Sequence, residues 1–162
     1  MPRRMPDARP RAVVAALGAA AIGVLLAACA QPLIVDPAPY AGDPACAPVM
    51  LAMPETLGGL TPHSTSSQAT TAYGAEFPII ARCGVEPPGP TTAPCVAIAS
   101  DAGNQDWLVV DQGDLWRATA FGRTPALELT IPKVRADKAV GDVLAEVSGP
   151  ASLAPSNGLA CR

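Results

Sequence analysis

The clearest periodic signal in the chain is an alternation near its C-terminal third. Leu127, Leu129 and Ile131 alternate with Ala126, Glu128 and Thr130, the two-residue period of a strand with one face buried and the other wet. Two β-rich runs precede it, 107–110 and 115–121, set apart by Asp111-Gln112-Gly113-Asp114 and Gly122-Arg123-Thr124-Pro125. Connections this short and turn-rich predict a three-stranded antiparallel meander. Pro132 ends the last strand. Ala139, Val140, Val143, Leu144 and Val147 then recur at three and four, predicting an amphipathic helix over 136–147 that Gly149-Pro150 stops. Upstream, Val49, Met50, Met53 and Leu57 have the same spacing and predict a short helix over 45–57. Pro48 fits only its first turn, Pro54 kinks or ends it, and Gly58-Gly59 closes the segment. Pro78 to Cys83 reads as a further strand, 61–71 as an exposed loop or edge strand, and Glu86 to Pro90 as an extended segment unfit for a sheet interior. The pattern amounts to a single α+β domain over 45–162: a small antiparallel sheet, the meander plus one or two further strands, covered by an N-terminal and a C-terminal helix. No internal repeat is present.

The N-terminus has a different pattern. Arg3, Arg4, Arg9 and Arg11 precede an uncharged run from Ala12 to Ala28 made mostly of Ala, Val, Leu and Gly, the layout of a secretory leader. A run of this length spans only about 25 Å as a helix, short of the roughly 30 Å of a hydrocarbon core. A retained membrane-spanning helix is the alternative. Leu26-Ala27-Ala28-Cys29 resembles the bacterial lipobox, in which the thiol takes a diacylglycerol thioether and becomes the first residue after cleavage. The expectation is a lipoprotein signal peptide over 1–28, lipidation at Cys29, and attachment to the membrane through that lipid. Residues 29–44 hold Pro32, Pro37, Pro39 and Pro44 and read as a Pro-rich tether that would hold the domain about 40 to 50 Å off the bilayer.

Charge narrows the partners. Without residues 1–28, seven basic and thirteen acidic residues remain, a net charge of −6. The basic residues are scattered, which argues against a nucleic-acid partner. Beyond Cys29, an even set of cysteines remains, Cys46, Cys83, Cys95 and Cys161. In an exported domain these predict two disulfides. Four cysteines allow three connectivities; the one favoured here is Cys83 with Cys95 and Cys46 with Cys161. Their wide spacing and the distant His63 provide no metal-ligand pairs, so neither a metal site nor a cofactor is expected.

Tyr73-Gly74, Pro78 to Val85, Asp106-Trp107-Leu108 and Phe121 to Leu129 resemble an actinobacterial family of exported, Ala-rich proteins, domain of unknown function 3515. Cys46 ahead of Pro54 to Gly59, and the terminal Cys161, are similar to that family too. The resemblance implies class and location and carries no established activity.

Candidate chemistry is sparse. Arg82 and Arg123 are candidate ligand-binding residues, because a guanidinium at a sheet end can hold a carboxylate or phosphate. Trp107, with Trp116 on the neighbouring strand, could form a stacking platform. Asp101, Asp106, Asp111 and Asp114 are the densest carboxylate group but lack the spacing of a calcium loop, and no nucleophile elbow accompanies His63. The expected function is a non-catalytic binding or accessory module of the cell envelope, with an envelope protein as partner. The alternatives are a small envelope hydrolase using those aspartates and a one-domain solute-binding lipoprotein.

Overall fold

The computed structural model describes residues 31–101, 103–135 and 140–162. The expected leader, the stretch resembling a lipobox and Cys29 lie outside the described residues. Seven strands form one antiparallel sheet: β1 Pro62–His63, β2 Thr70–Tyr73, β3 Ile79–Val85, β4 Cys95–Ser100, β5 Gly103–Asp111, β6 Leu115–Phe121 and β7 Ala126–Pro132, in the order β1-β2-β3-β7-β6-β5-β4. Two α-helices accompany it, α1 Cys46–Leu51 and α2 Val140–Ser152, with a 3₁₀ turn at Lys133–Arg135. β5, β6 and β7 are successive neighbours, joined by the two turns read from the sequence. The sheet is larger than expected, because β4 adds one edge while β3, β2 and β1 extend it beyond β7. The chain leaves β3 in the third place and reaches the far edge at β4, and the proline-rich 86–94 stretch makes that crossing outside the ladder.

Register assigns the faces. Ala81 opposes Leu129 and Leu129 opposes Ala118, and these join Trp107, Leu127 and Ile131 in one buried cluster with Cys46, Val49, Val143, Leu144 and Val147 of the helices. The alternation at 127, 129 and 131 is therefore core. The intervening positions are not uniformly wet, since Ala126 and Glu128 are buried as well: β7 lies mid-sheet, where neighbours crowd both faces.

Both helices depart from the sequence reading. α1 stops at Leu51, because Met53 precedes Pro54 and is steered away from helical geometry. α2 continues through Gly149-Pro150 to Ser152. Pro150 costs the helix a single late hydrogen bond, while Ser148, Pro150 and Ala151 are buried and Gly149 sits against Gly103. Packing outweighs the missing donor.

The 29–44 tether also needs correction, for its described part. Gln31–Arg162 forms one unit, and 33–41 is docked on it. Leu33 N–H donates to Ser64 O at 2.8 Å, Val35 N–H to Ser66 Oγ at 3.0 Å, and Tyr40 N–H to Gly84 O at 2.8 Å. Val35, Ala38 and Ala41 are buried, a spacing of three that matches the repeat of an extended polyproline-type chain. Gly84 makes the docking possible: its φ is +99°, and a Cβ there would lie 2.4 Å from Ala41 N and Tyr40 C.

The disulfides pair differently from the favoured connectivity. Cys46 joins Cys83 and Cys95 joins Cys161, each with a Cα–Cα distance of 5.6 Å. Cys83 and Cys95 sit on strands four places apart in the sheet, about 19 Å at the usual strand spacing, so no bridge can join them. Loop-closure entropy favours short loops in the unfolded chain but does not know which strands become neighbours.

Candidate functional site

The face of the sheet opposite the core cluster carries its main charged group. Arg82 on β3 stands directly across from Glu128 on β7. Its Nε donates to Glu128 Oε1 at 2.9 Å and its Nη2 lies 2.8 Å from the same oxygen. Arg117, one strand further on, opposes Thr130 and so stands diagonal to Glu128, its Nε 3.9 Å from Oε2. The Glu128 side chain is 5% exposed, against 30% for Arg82 and 45% for Arg117. A largely desolvated carboxylate thus holds one guanidinium firmly and a second loosely. Arg82 is committed to an internal partner, whereas Arg117 keeps donors toward solvent.

The other two candidate ligand residues serve the fold. Arg123 Nε donates to Gln105 Oε1 at 2.8 Å, and its Nη1 donates to the carbonyls of Ser152 and Ala154 at 2.9 and 3.0 Å. It therefore satisfies carbonyls left open at the end of α2 and ties that end to β5. Trp107 is fully buried, and its indole N–H donates to Ser148 Oγ at 3.2 Å. It offers no stacking surface. Trp116 is only partly buried, with Lys133 Nζ 4.7 Å from its ring centroid.

The aspartates do not converge. Asp101 lies in the β4–β5 turn, and Asp111 and Asp114 lie at the opposite end of β5, about 27 Å away along the strand. Asp106 accepts the Cys161 N–H at 2.7 Å. Asp111 accepts Lys133 Nζ at 2.6 Å and the Gly113 N–H at 2.9 Å, and these bonds, the lysine's first, hold its carboxyl below the usual range. His63 is on β1, at the other edge of the sheet from β4. Among the described residues, no three His, Cys, Asp or Glu side chains group as metal ligands.

The described residues do form a concavity. A groove of about 580 Å³ lies where the 90–93 stretch and the C-terminal 158–162 segment flank the start of β4 and the end of β6. The Cys95–Cys161 disulfide forms part of its wall, with Phe121 and Leu159 as apolar lining and Thr91, Thr92 and Arg162 as polar groups. Gly122 shapes its approach, since a Cβ there would lie 2.2 Å from Leu159 O. The lining holds no imidazole, carboxylate side chain or free thiol, so it can hold a ligand but has no side-chain acid or base to transform one. Glu128, Arg117 and the groove threonines escaped the sequence reading. A charged residue in an alternating strand is ordinarily solvent-facing, and nothing in the local sequence signalled that β3 would flank this last strand of the meander on its other side.

Comparison with protein families matches residues 10–154 to a family described as protein of unknown function (DUF3515). The chain belongs to the DUF3515 family. The region of this DUF3515 protein that matches includes Arg82, Arg117 and Glu128 and stops short of the 158–162 segment that walls the groove. No curated protein and no solved structure gave a match. Among the described residues, no helix is long and apolar enough to cross a membrane.

Proposed function

We propose that this DUF3515 protein is a lipid-anchored binding module on the outer face of the cytoplasmic membrane, one that holds an envelope partner without transforming it. The observation that carries the reading is the pairing of Cys46, Cys83, Cys95 and Cys161 into two disulfides, which persist in oxidising compartments and rarely in the cytosol. It agrees with the order of charges, apolar run and Leu26-Ala27-Ala28-Cys29 at the N-terminus. Binding is favoured over catalysis by a groove whose lining holds no side-chain acid or base and by aspartates spread from 101 to 114, of which Asp106 and Asp111 are engaged in bonds of the fold.

Docking of 33–41 changes what the anchor would do. Leu33 lies four positions after Cys29, and a chain reaches at most about 3.6 Å per residue. A lipid at Cys29 would hold the domain within about 15 Å of the bilayer rather than at the end of a long tether.

Labelled palmitate fed to cells expressing the full chain tests the anchor. Label should enter the wild type, vanish in Cys29→Ala, and the variant should leave the membrane fraction. An unlabelled wild type, or a Cys29→Ala chain that fractionates unchanged, overturns the reading. The groove volume also suits a small solute, since such sites run from about 300 to 1,000 Å³. That reading expects Thr92→Trp to abolish solute binding while leaving membrane attachment intact.

A further inference from the structure

The sheet has two edges, and they differ. β1 has two residues and opens with Pro62, which has no N–H to offer. β4 runs for six residues, Cys95–Ser100, without a charge or a proline. Among the described residues, no backbone group pairs with its outer side. Short length, lysines and prolines are the usual protection of an edge, and β4 has none of them.

Register shows which groups face outward. Ser100 pairs with Gly103 across a two-residue turn, so those two are the hydrogen-bonded pair that closes the hairpin. Val96, Ile98 and Ser100 therefore bond inward to β5, and Cys95, Ala97 and Ala99 present their N–H and C=O groups outward. Ala97 and Ala99 are exposed, and Val96, on the helix side of the sheet, is 42% exposed at this rim.

We propose that β4 pairs antiparallel with β4 of a second copy of this chain, across a two-fold axis through Ala97. That register sets Ala97 against Ala97 and Cys95 against Ala99, outward group to outward group, and puts Val96 beside Ile98 of the other copy. Each exposed Val96 is then covered by an apolar neighbour, and no like charges oppose one another in the ladder. Symmetry supports this occupant over an unrelated strand, because one uncharged sequence supplies both halves of the contact. Among the described residues the pairing consumes the one long edge of the sheet and leaves the two-residue β1 at either end, so assembly closes at two copies and does not propagate. The pairing does not rest on the proposed binding role, although Cys95 at one end of its ladder also lines the groove.

The test uses the full chain in detergent micelles, with a photo-crosslinking residue in place of Ala97 or, as an exposed control on β5, in place of Val110. Irradiation should give a dimer from position 97 and little from 110, with the crosslink mapping to 95–99 of the second copy. Adding Ala99→Pro, which removes an outward N–H and no bond to β5, should lower the yield about fivefold or more. If that variant loses its native disulfide mobility on a non-reducing gel, Ala99→Lys replaces it. Equal yields at 97 and 110, a crosslink outside 95–99, or a crosslink from 97 to a different polypeptide overturns the proposal.

Discussion

Glu128 organises the open face of the sheet through two contacts of unequal strength. Its buried carboxylate receives Arg82 at 2.8–2.9 Å and Arg117 only at 3.9 Å. Removing one member of a buried pair leaves the other charge uncompensated, at a cost of about 3–5 kcal/mol when both are deeply buried. Arg82 is 30% exposed and can partly rehydrate, so Glu128→Ala should destabilise by about 2–3 kcal/mol. Arg117→Ala removes a long, half-exposed contact and should cost under about 1 kcal/mol. Urea unfolding of both variants checks the ranking, and equal losses would show that the Arg117 contact matters as much as everything the Glu128 carboxylate holds. Asp111 provides a contrasting surface case. Its carboxyl is held low by Lys133 and Gly113, so what that pair contributes is present above the ordinary carboxylate pKa and fades as pH falls through the lowered value.

At the scale of elements, what could be read from the sequence was whatever local chemistry enforces. Strands β5 to β7 were visible because Leu127, Leu129 and Ile131 alternate and because 111–114 and 122–125 are rich in turn residues. The 33–41 segment was hidden, because its burial runs at a spacing of three, which matches neither helix nor strand, and its partner Gly84 lies more than forty residues away. The full length of α2 was hidden too: Gly149-Pro150 is a local stop signal, and only packing against β4 and β5 overrides it. Gly84 turns this into a prediction. Gly84→Ala places a methyl group where Tyr40 and Ala41 pass and demands a positive φ of a residue with a Cβ. The loss should be about 2–3 kcal/mol. Hydrogen exchange should show the Tyr40 amide opening with it, while the β6 and β7 amides stay protected. Unchanged protection at Tyr40 would mean that the segment is held by its Leu33 and Val35 contacts to Ser64, Ser66 and Ser67 and not by Gly84.

For the whole molecule, the candidate site depends on a connectivity that no single stretch of sequence announces. Cys46–Cys83 fastens α1 to the core side of β3, and Cys95–Cys161 fastens the C-terminal segment to the edge strand. Closing loops with sequence separations of 37 and 66 residues constrains the unfolded chain by about 4 kcal/mol each in the chain-entropy account. The two bridges are similar in that respect but differ in what they hold. Cys83 is fully buried and Cys46 nearly so, so replacing both by Ser leaves hydroxyls within the core and should unfold the domain at moderate denaturant. The Cys95–Cys161 bridge lies at the groove wall, where the 158–162 segment is otherwise held by the Asp106 bond to Cys161 and by contacts around Asn157. The Cys95→Ser/Cys161→Ser chain should therefore keep its sheet and lose about 4 kcal/mol or less, while amides 158–162 exchange freely and ligand retention by the groove falls. Unfolding of this double variant at the same denaturant concentration as Cys46→Ser/Cys83→Ser would show that the edge bridge supports the sheet itself, and that the groove wall and the fold cannot be separated.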